Sequence, residues 1–156
     1  VQLPVINGKG TEFLYEDLSN LKRKFSLIPV ELVNSVEVVN DEYPYYLSTG
    51  RVLYQYHTRS MSGRVDGLNE KCPEPYAEMN SNLLEKISKK DGDMITIRSR
   101  RGEITLKIKV RDGVKDGVVF VPFHFSSALV NELTGSEFLE PISKTPEYKI
   151  CPVKLI

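Results

Sequence analysis

Between Ile104 and Arg111 the chain alternates strictly, with Ile104, Leu106, Ile108 and Val110 apolar and Thr105, Lys107, Lys109 and Arg111 polar. A period of two sends successive side chains to opposite faces, so this stretch is a strand with one face in a core and the other in water. Met94 to Ser99 supplies a second strand, and Arg100-Arg101-Gly102-Glu103 is the turn that makes the two a hairpin. Val118 to Val121 is a continuous apolar run after Asp116-Gly117, which predicts a strand buried on both sides. Tyr45-Tyr46-Leu47 suits a pleated surface, and Tyr148 to Leu155 reads as a last strand carrying Cys151, Val153 and Leu155 on one face. Short strands, tight turns and small helices predict a mainly β chain closed as a barrel.

Two helices are expected. Asn80 stands where an N-cap belongs, Leu83, Leu84 and Ile87 share one face, and Lys86, Lys89 and Lys90 complement the C-terminal dipole before Asp91-Gly92. Ser126 or Ser127 caps a shorter helix through Leu129 and Leu133, ended by Gly135. Val65 to Met79 reads as irregular, because Cys72-Pro73-Glu74-Pro75 forbids a helix there. Residues 1–40 read as an arm ahead of a domain at 41–156. Pro4, Asn7, Gly8 and Gly10 mark turns, Thr11 to Tyr15 is strand-like, Asp17 to Lys24 is polar, and Phe25 to Val39 favours extended structure without a clean period. One reading of such an arm is a β extension over this domain's own core.

The 156 residues carry 21 basic and 21 acidic side chains, so no global field recruits nucleic acid or an anionic membrane, and an anion must be held locally. No membrane-spanning run and no signal peptide is visible, which makes a cytoplasmic location the expectation. Val1 in place of Met suggests processing or excision from a longer chain. Cys72 and Cys151 make no disulfide framework, and with His57 and His124 they lack the paired spacing of a metal site. Arg100, Arg101, Lys107, Lys109 and Arg111 read as a solvated basic hairpin face.

After Leu47 the pattern breaks at Ser48-Thr49-Gly50, where glycine is free to take positive φ and turn its amides toward a ligand. Arg51, Gln55, His57, Thr58, Arg59, Ser60, Ser62 and Arg64 follow, a density of hydrogen-bond donors that suits an anion. Tyr43, Tyr45, Tyr46, Tyr54 and Tyr56 are core and rim residues or stacking partners for a purine. His57 lies between Tyr56 and Thr58, and its donor-rich surroundings favour a ligand role over simple packing.

Thr49-Gly50-Arg51-Val52-Leu53, His57-Thr58 and Met61-Ser62 resemble the signature of the molybdopterin-dinucleotide-binding domain of molybdenum and tungsten oxidoreductases. Asp91-Gly92-Asp93, Ser99-Arg100-Arg101-Gly102, the run Gly117 to Pro122 and the tail Pro141 to Lys149 follow in the family's order. Pro122-Phe123-His124-Phe125 and Gly67-Leu68-Asn69-Glu70 are most similar to formate dehydrogenase. The resemblance implies a six-stranded double-psi barrel at the C-terminal end of a catalytic subunit, holding molybdopterin guanine dinucleotide with molybdenum or tungsten. It assigns the dinucleotide to Thr49, Gly50, Arg51, Val52, Leu53, Tyr54, Gln55, Tyr56, His57 and Thr58, with Phe123, Asn131 and Lys149 completing the pocket. The metal ligands, any iron-sulfur cluster and the catalytic residues are expected in the subunit's other domains, so none is expected here, and an electron-transfer subunit is a further expected partner. By the same resemblance the arm at 1–40 packs on those other domains, the alternative to an extension over this domain's own core. The reaction implied is oxidation of formate to carbon dioxide. The alternatives are another member such as a nitrate reductase, or a free-standing barrel acting as a self-processing decarboxylase or interaction module.

Overall fold

The computed structural model describes residues 5–10, 12–13 and 25–156. The readings placed on Pro4, on Thr11 to Tyr15 apart from residues 12 and 13, and on Asp17 to Lys24 lie outside the described residues. The chain divides into two compact units, Val1–Val33 and Asn34–Ile156.

In the first unit β1 (Val5–Ile6) pairs antiparallel with β2 (Lys9–Gly10) around Asn7 and Gly8, both at positive φ (51° and 76°). Asn-Gly at these angles is the two-residue turn whose twist matches a hairpin. Residues 25–33 form no strand, and neither do 34–44 at the start of the second unit, against the extended reading of that stretch. Isolated valines favour strands only where a neighbouring strand offers its amides.

In the second unit β3 (Tyr45–Gly50), β4 (Tyr76–Met79), β5 (Met94–Arg98), β6 (Glu103–Val110), β7 (Val118–Pro122) and β8 (Cys151–Leu155) close into a barrel of order β3-β7-β4-β6-β5-β8. β3 runs parallel to β7 and β4 parallel to β6, and the other pairings are antiparallel. The six-stranded barrel expected from the resemblance is therefore the fold. Leu47, Ala77, Met79, Ile95, Ile97, Ile104, Leu106, Ile108, Val119, Val121, Cys151 and Val153 point inward and are buried. Each larger side chain among them contributes roughly 1.5–3 kcal/mol by leaving water.

The hairpin lies where alternation put it, with Arg98 opposite Glu103. Val110 escapes the pattern and is 36% exposed, because β5 begins opposite Lys107 and leaves Val110 paired only with Met79 of β4. Elsewhere the structure corrects the sequence reading. β7 alternates instead of burying both faces: Val119 and Val121 fill the core, while Val118 and Phe120 face a cavity. Val65 to Met79 is not irregular, since α1 (Asp66–Lys71) precedes the proline-bounded break and β4 follows it. α2 (Ser81–Lys86) has the expected cap, with the Asn80 side chain accepting from Leu83 N–H at 2.8 Å. It ends before Asp91-Gly92, as Ser88 turns to φ 53°. The expected helix through Leu133 shrinks to one 3-10 turn, Val130–Glu132, without a side-chain cap. β8 begins at Cys151, so Tyr148, Lys149 and Ile150 lie outside the strand.

Candidate functional site

β3 does not break at Ser48. It stays extended through Gly50, where Thr49 and Gly50 pair with Val121 and Pro122. Gly50 is needed here for close approach and not for a left-handed turn, since a Cβ would overlap the Phe120 ring. The turn starts at Arg51 and is set by His124, which is 1% exposed. Its Nε2 accepts from Val52 N–H at 2.9 Å and its Nδ1–H donates to His57 O at 2.5 Å, an arrangement that uses both nitrogens of one neutral tautomer. One buried imidazole thereby fixes both ends of the segment 52–57.

Inside that segment Gln55 is turned away from solvent. Its amide nitrogen donates to Cys72 O at 3.1 Å, and its oxygen accepts from Ser62 Oγ at 2.8 Å, which in turn accepts from Tyr56 N–H at 2.9 Å. Asn69 donates to Gly63 O at 2.7 Å and accepts from Arg59, whose guanidinium lies 4.5 Å from the Phe125 ring centroid. His57 and Arg59 sit at φ 45° and 62°, costly for residues with a Cβ and sustained by these bonds. The loop is thus pre-shaped, with Leu53, Tyr54, Tyr56, His57 and Thr58 presented outward.

Two cavities flank Arg51. The smaller, about 520 Å³, is lined by Arg51, Phe123, Asn131, Gly135, Tyr148 and Lys149 among others. The guanidinium of Arg51 lies 5.5 Å from the Phe123 ring centroid, and Lys149 Nζ donates to Thr49 O at 2.8 Å. Thr49 Oγ1 donates to Tyr148 O at 2.7 Å, tying the tail to the end of β3. Two cations, an amide and two flat aromatic faces therefore meet in one concavity, a donor set suited to a phosphorylated ring compound. The larger cavity, about 850 Å³, takes in Arg51 to Tyr54 with Lys71, Lys109, Arg111 and Lys115. Its floor carries Glu78, 3% exposed, which accepts from Arg111 at 3.2 and 3.3 Å. Burial, then the neighbouring Cys72 and Glu78, raise Tyr76 to about 12, so its hydroxyl stays a donor.

Of the residues singled out by sequence, Arg51, Phe123, Asn131 and Lys149 come together on the smaller cavity. Val52, Leu53 and Tyr54 line the larger one. Thr49 and Gln55 are buried with inward bonds, Gly50 is strand backbone against Phe120, and Tyr56, His57 and Thr58 are exposed on the loop. Lys109 and Arg111 belong to a cavity lining and not to a freely solvated face. His124 was missed in its actual role, since its partners are backbone groups far away in sequence. Its position just past the end of a strand was the available signal. Among the described residues, no three His, Cys, Asp or Glu side chains gather as a metal site.

Residues 45–152 match the family described as "Molydopterin dinucleotide binding domain". The chain belongs to this family of molybdopterin dinucleotide-binding domains. It is 39% identical over 152 residues to the "F420-dependent formate dehydrogenase subunit alpha" of Methanocaldococcus jannaschii, covering 96% of this chain and 22% of that protein. It is 36% identical over 127 residues to the "F420-dependent formate dehydrogenase 2 subunit alpha" of Methanococcus maripaludis, covering 81% and 19%. The chain therefore spans about a fifth of the length of these relatives. Acetylene hydratase from Pelobacter acetylenicus shares the fold, with a TM-score of 0.60 at 16% identity over 73% of this chain and 18% of that one.

Proposed function

We propose that this molybdopterin dinucleotide-binding domain holds molybdopterin guanine dinucleotide in the smaller cavity, as part of a catalytic subunit that oxidises formate to carbon dioxide. The observation that carries the reading is the convergence of Arg51, Phe123, Asn131 and Lys149, drawn from four separate parts of the chain, on one concavity. Arg51 offers the planar fork that matches a pyrophosphate, Lys149 a second positive charge, and Phe123 and Tyr148 flat faces for a fused ring. His124 and Gln55 act from behind, fixing the segment 52–57 that follows Arg51, with Thr49 and Gly50 forming the end of β3 from which Arg51 leaves. Tyr56, His57 and Thr58 form the exposed rim.

The bound group would supply two-electron chemistry at molybdenum or tungsten, while this chain binds and orients it. Formate as substrate is supported by the names of the relatives and their identity to this chain. Because the chain spans only a fifth of those relatives, the metal ligand, proton-handling residues and any iron-sulfur cluster are assigned to the rest of the subunit. An electron-transfer subunit is the further partner.

In the full-length enzyme Arg51→Lys is expected to lower the pterin and metal content after purification, as an ammonium loses the two-point fork, at a cost of about 1–3 kcal/mol. Unchanged cofactor content would overturn the role of Arg51.

A further inference from the structure

The turn of the β5–β6 hairpin reads as surface in the sequence, yet Arg101 is tied to two other segments. Its Nη1 and Nη2 donate to the two oxygens of Glu37 at 3.1 and 2.9 Å. Its Nη2 and Nε also donate to Glu137 at 3.1 and 3.4 Å. The Arg101 and Glu37 side chains are only 20% and 14% exposed, so solvent screens this pair less than a surface one. The turn itself is fixed from inside, with Ser99 buried and its Oγ accepting from Arg101 N–H at 3.0 Å.

The hairpin turn packs on the segment that follows the 3-10 turn. A Cβ on Gly135 would stand 2.8 Å from Arg101 Nη2 and 2.7 Å from Glu137 Oε2, and one on Gly102 would stand 3.4 Å from Glu132 O. A Cβ at Gly135 would push apart the Arg101–Glu137 pair, whereas one at Gly102 would rest in ordinary contact with Glu132 O. Below, Cys151 Sγ donates to Leu133 O at 3.1 Å, so the same segment is anchored to β8. Asn131, Thr134, Gly135 and Ser136 of this segment form one wall of the smaller cavity, whereas Arg101 does not line it.

We propose that Arg101 is a positioning residue for the cofactor: it holds the wall 131–136 at its distance from Arg51 and Lys149 by clamping Glu137 and Glu37, and touches no ligand itself. The role rests on the reading that the smaller cavity holds the dinucleotide. A wall that carries a ligand-facing amide and hydroxyls must keep its place to well under an ångström to be useful, and the Arg101 guanidinium, braced by Glu37, restrains its C-terminal end at Glu137 while Cys151 holds Leu133. Arg98 is the internal control. It is on the same hairpin and ion-paired to Glu103, and it has no bond to Glu37 or Glu137.

The test uses the 156-residue chain, whose barrel closes on its own core, with guanosine diphosphate as the fragment of the cofactor that bears guanine and pyrophosphate. Arg101→Ala is expected to weaken guanosine diphosphate binding at least about ten-fold, the lower range for groups that orient ligand-contacting residues. It should also speed amide exchange at Leu133 and Thr134. Arg98→Ala should do neither, and Arg101→Lys should fall between, since an ammonium cannot fork Glu37 while holding Glu137. If Arg101→Ala does not fold, Arg101→Lys against Arg98→Ala carries the comparison. Binding indifferent to the Arg101 substitutions overturns the positioning role alone. A wild-type chain that binds no guanosine diphosphate overturns the reading of the cavity, and the wall's role with it.

Discussion

The barrel and the loop that leaves β3 are held by different means. The barrel rests on burial: Leu47, Ile97, Val119, Val121 and Val153 are fully buried, and their contribution is spread over many contacts. The loop 51–64 has few buried apolar side chains, and Leu53, Tyr56 and Met61 are 89%, 65% and 71% exposed. Its shape depends on directed polar bonds from His124, Gln55, Ser62 and Asn69. Burial tolerates small displacements and directed bonds do not, so the scaffold is robust while the loop is specified point by point.

The largest effect expected is on the barrel. Leu47→Ala removes a fully buried side chain from the middle of β3 and should cost about 2–5 kcal/mol in urea unfolding. A cost below that of any loop substitution would break the contrast. His124→Ala should cost less, about 1–3 kcal/mol, as Val52 N–H and His57 O lose their partner. Its signature is local: amide exchange should rise across 52–57 while the protected amides of β6 keep their rates. A uniform rise would show that His124 supports the barrel and not the loop.

A smaller effect appears only at alkaline pH. Burial, then the Glu37 carboxylate, push the Cys151 thiol up to about 11 from 9.0. The folded state therefore prefers the protonated thiol, a contribution fully present below pH 9 and lost as pH rises through 11. Tyr76, raised to about 12, adds a loss of the same sign at higher pH. Melting temperature should fall between pH 9 and 11, and Cys151→Ala should flatten the first part of that fall. An unchanged slope would show that the thiol does not take part.

The contrast also explains what the sequence showed. The β5–β6 hairpin was legible because Ile104, Leu106 and Ile108 declare their facing within the strand itself. α1 and β4 were not, because the prolines at 73 and 75 dominate the stretch and Tyr76-Ala77-Glu78-Met79 shows no alternation, Glu78 being buried by contact with Arg111 across the larger cavity. Of the residues named from the family motifs, Arg51, Phe123, Asn131 and Lys149 meet on one cavity, which makes that candidate site legible in part from the sequence. Lys149 lies just before β8, outside the strand read over Tyr148 to Leu155, so strand facing does not place its side chain. Lys149 reaches the cavity through its bond to Thr49 O, while Lys154 pairs with Glu42 at 3.7 Å. The supports, His124 and Arg101, were hidden because their partners are backbone or acidic groups tens of residues away.

Of the two cavities beside Arg51, Lys149 lines only the smaller and Lys115 only the larger, so the two lysines separate these two places for the dinucleotide. The most direct test is the pterin and metal content of the purified full-length enzyme carrying Lys149→Ala or Lys115→Ala. Loss of cofactor with Lys149→Ala and full content with Lys115→Ala is the result predicted. Full content with Lys149→Ala and loss with Lys115→Ala would contradict the account and move the dinucleotide to the larger cavity.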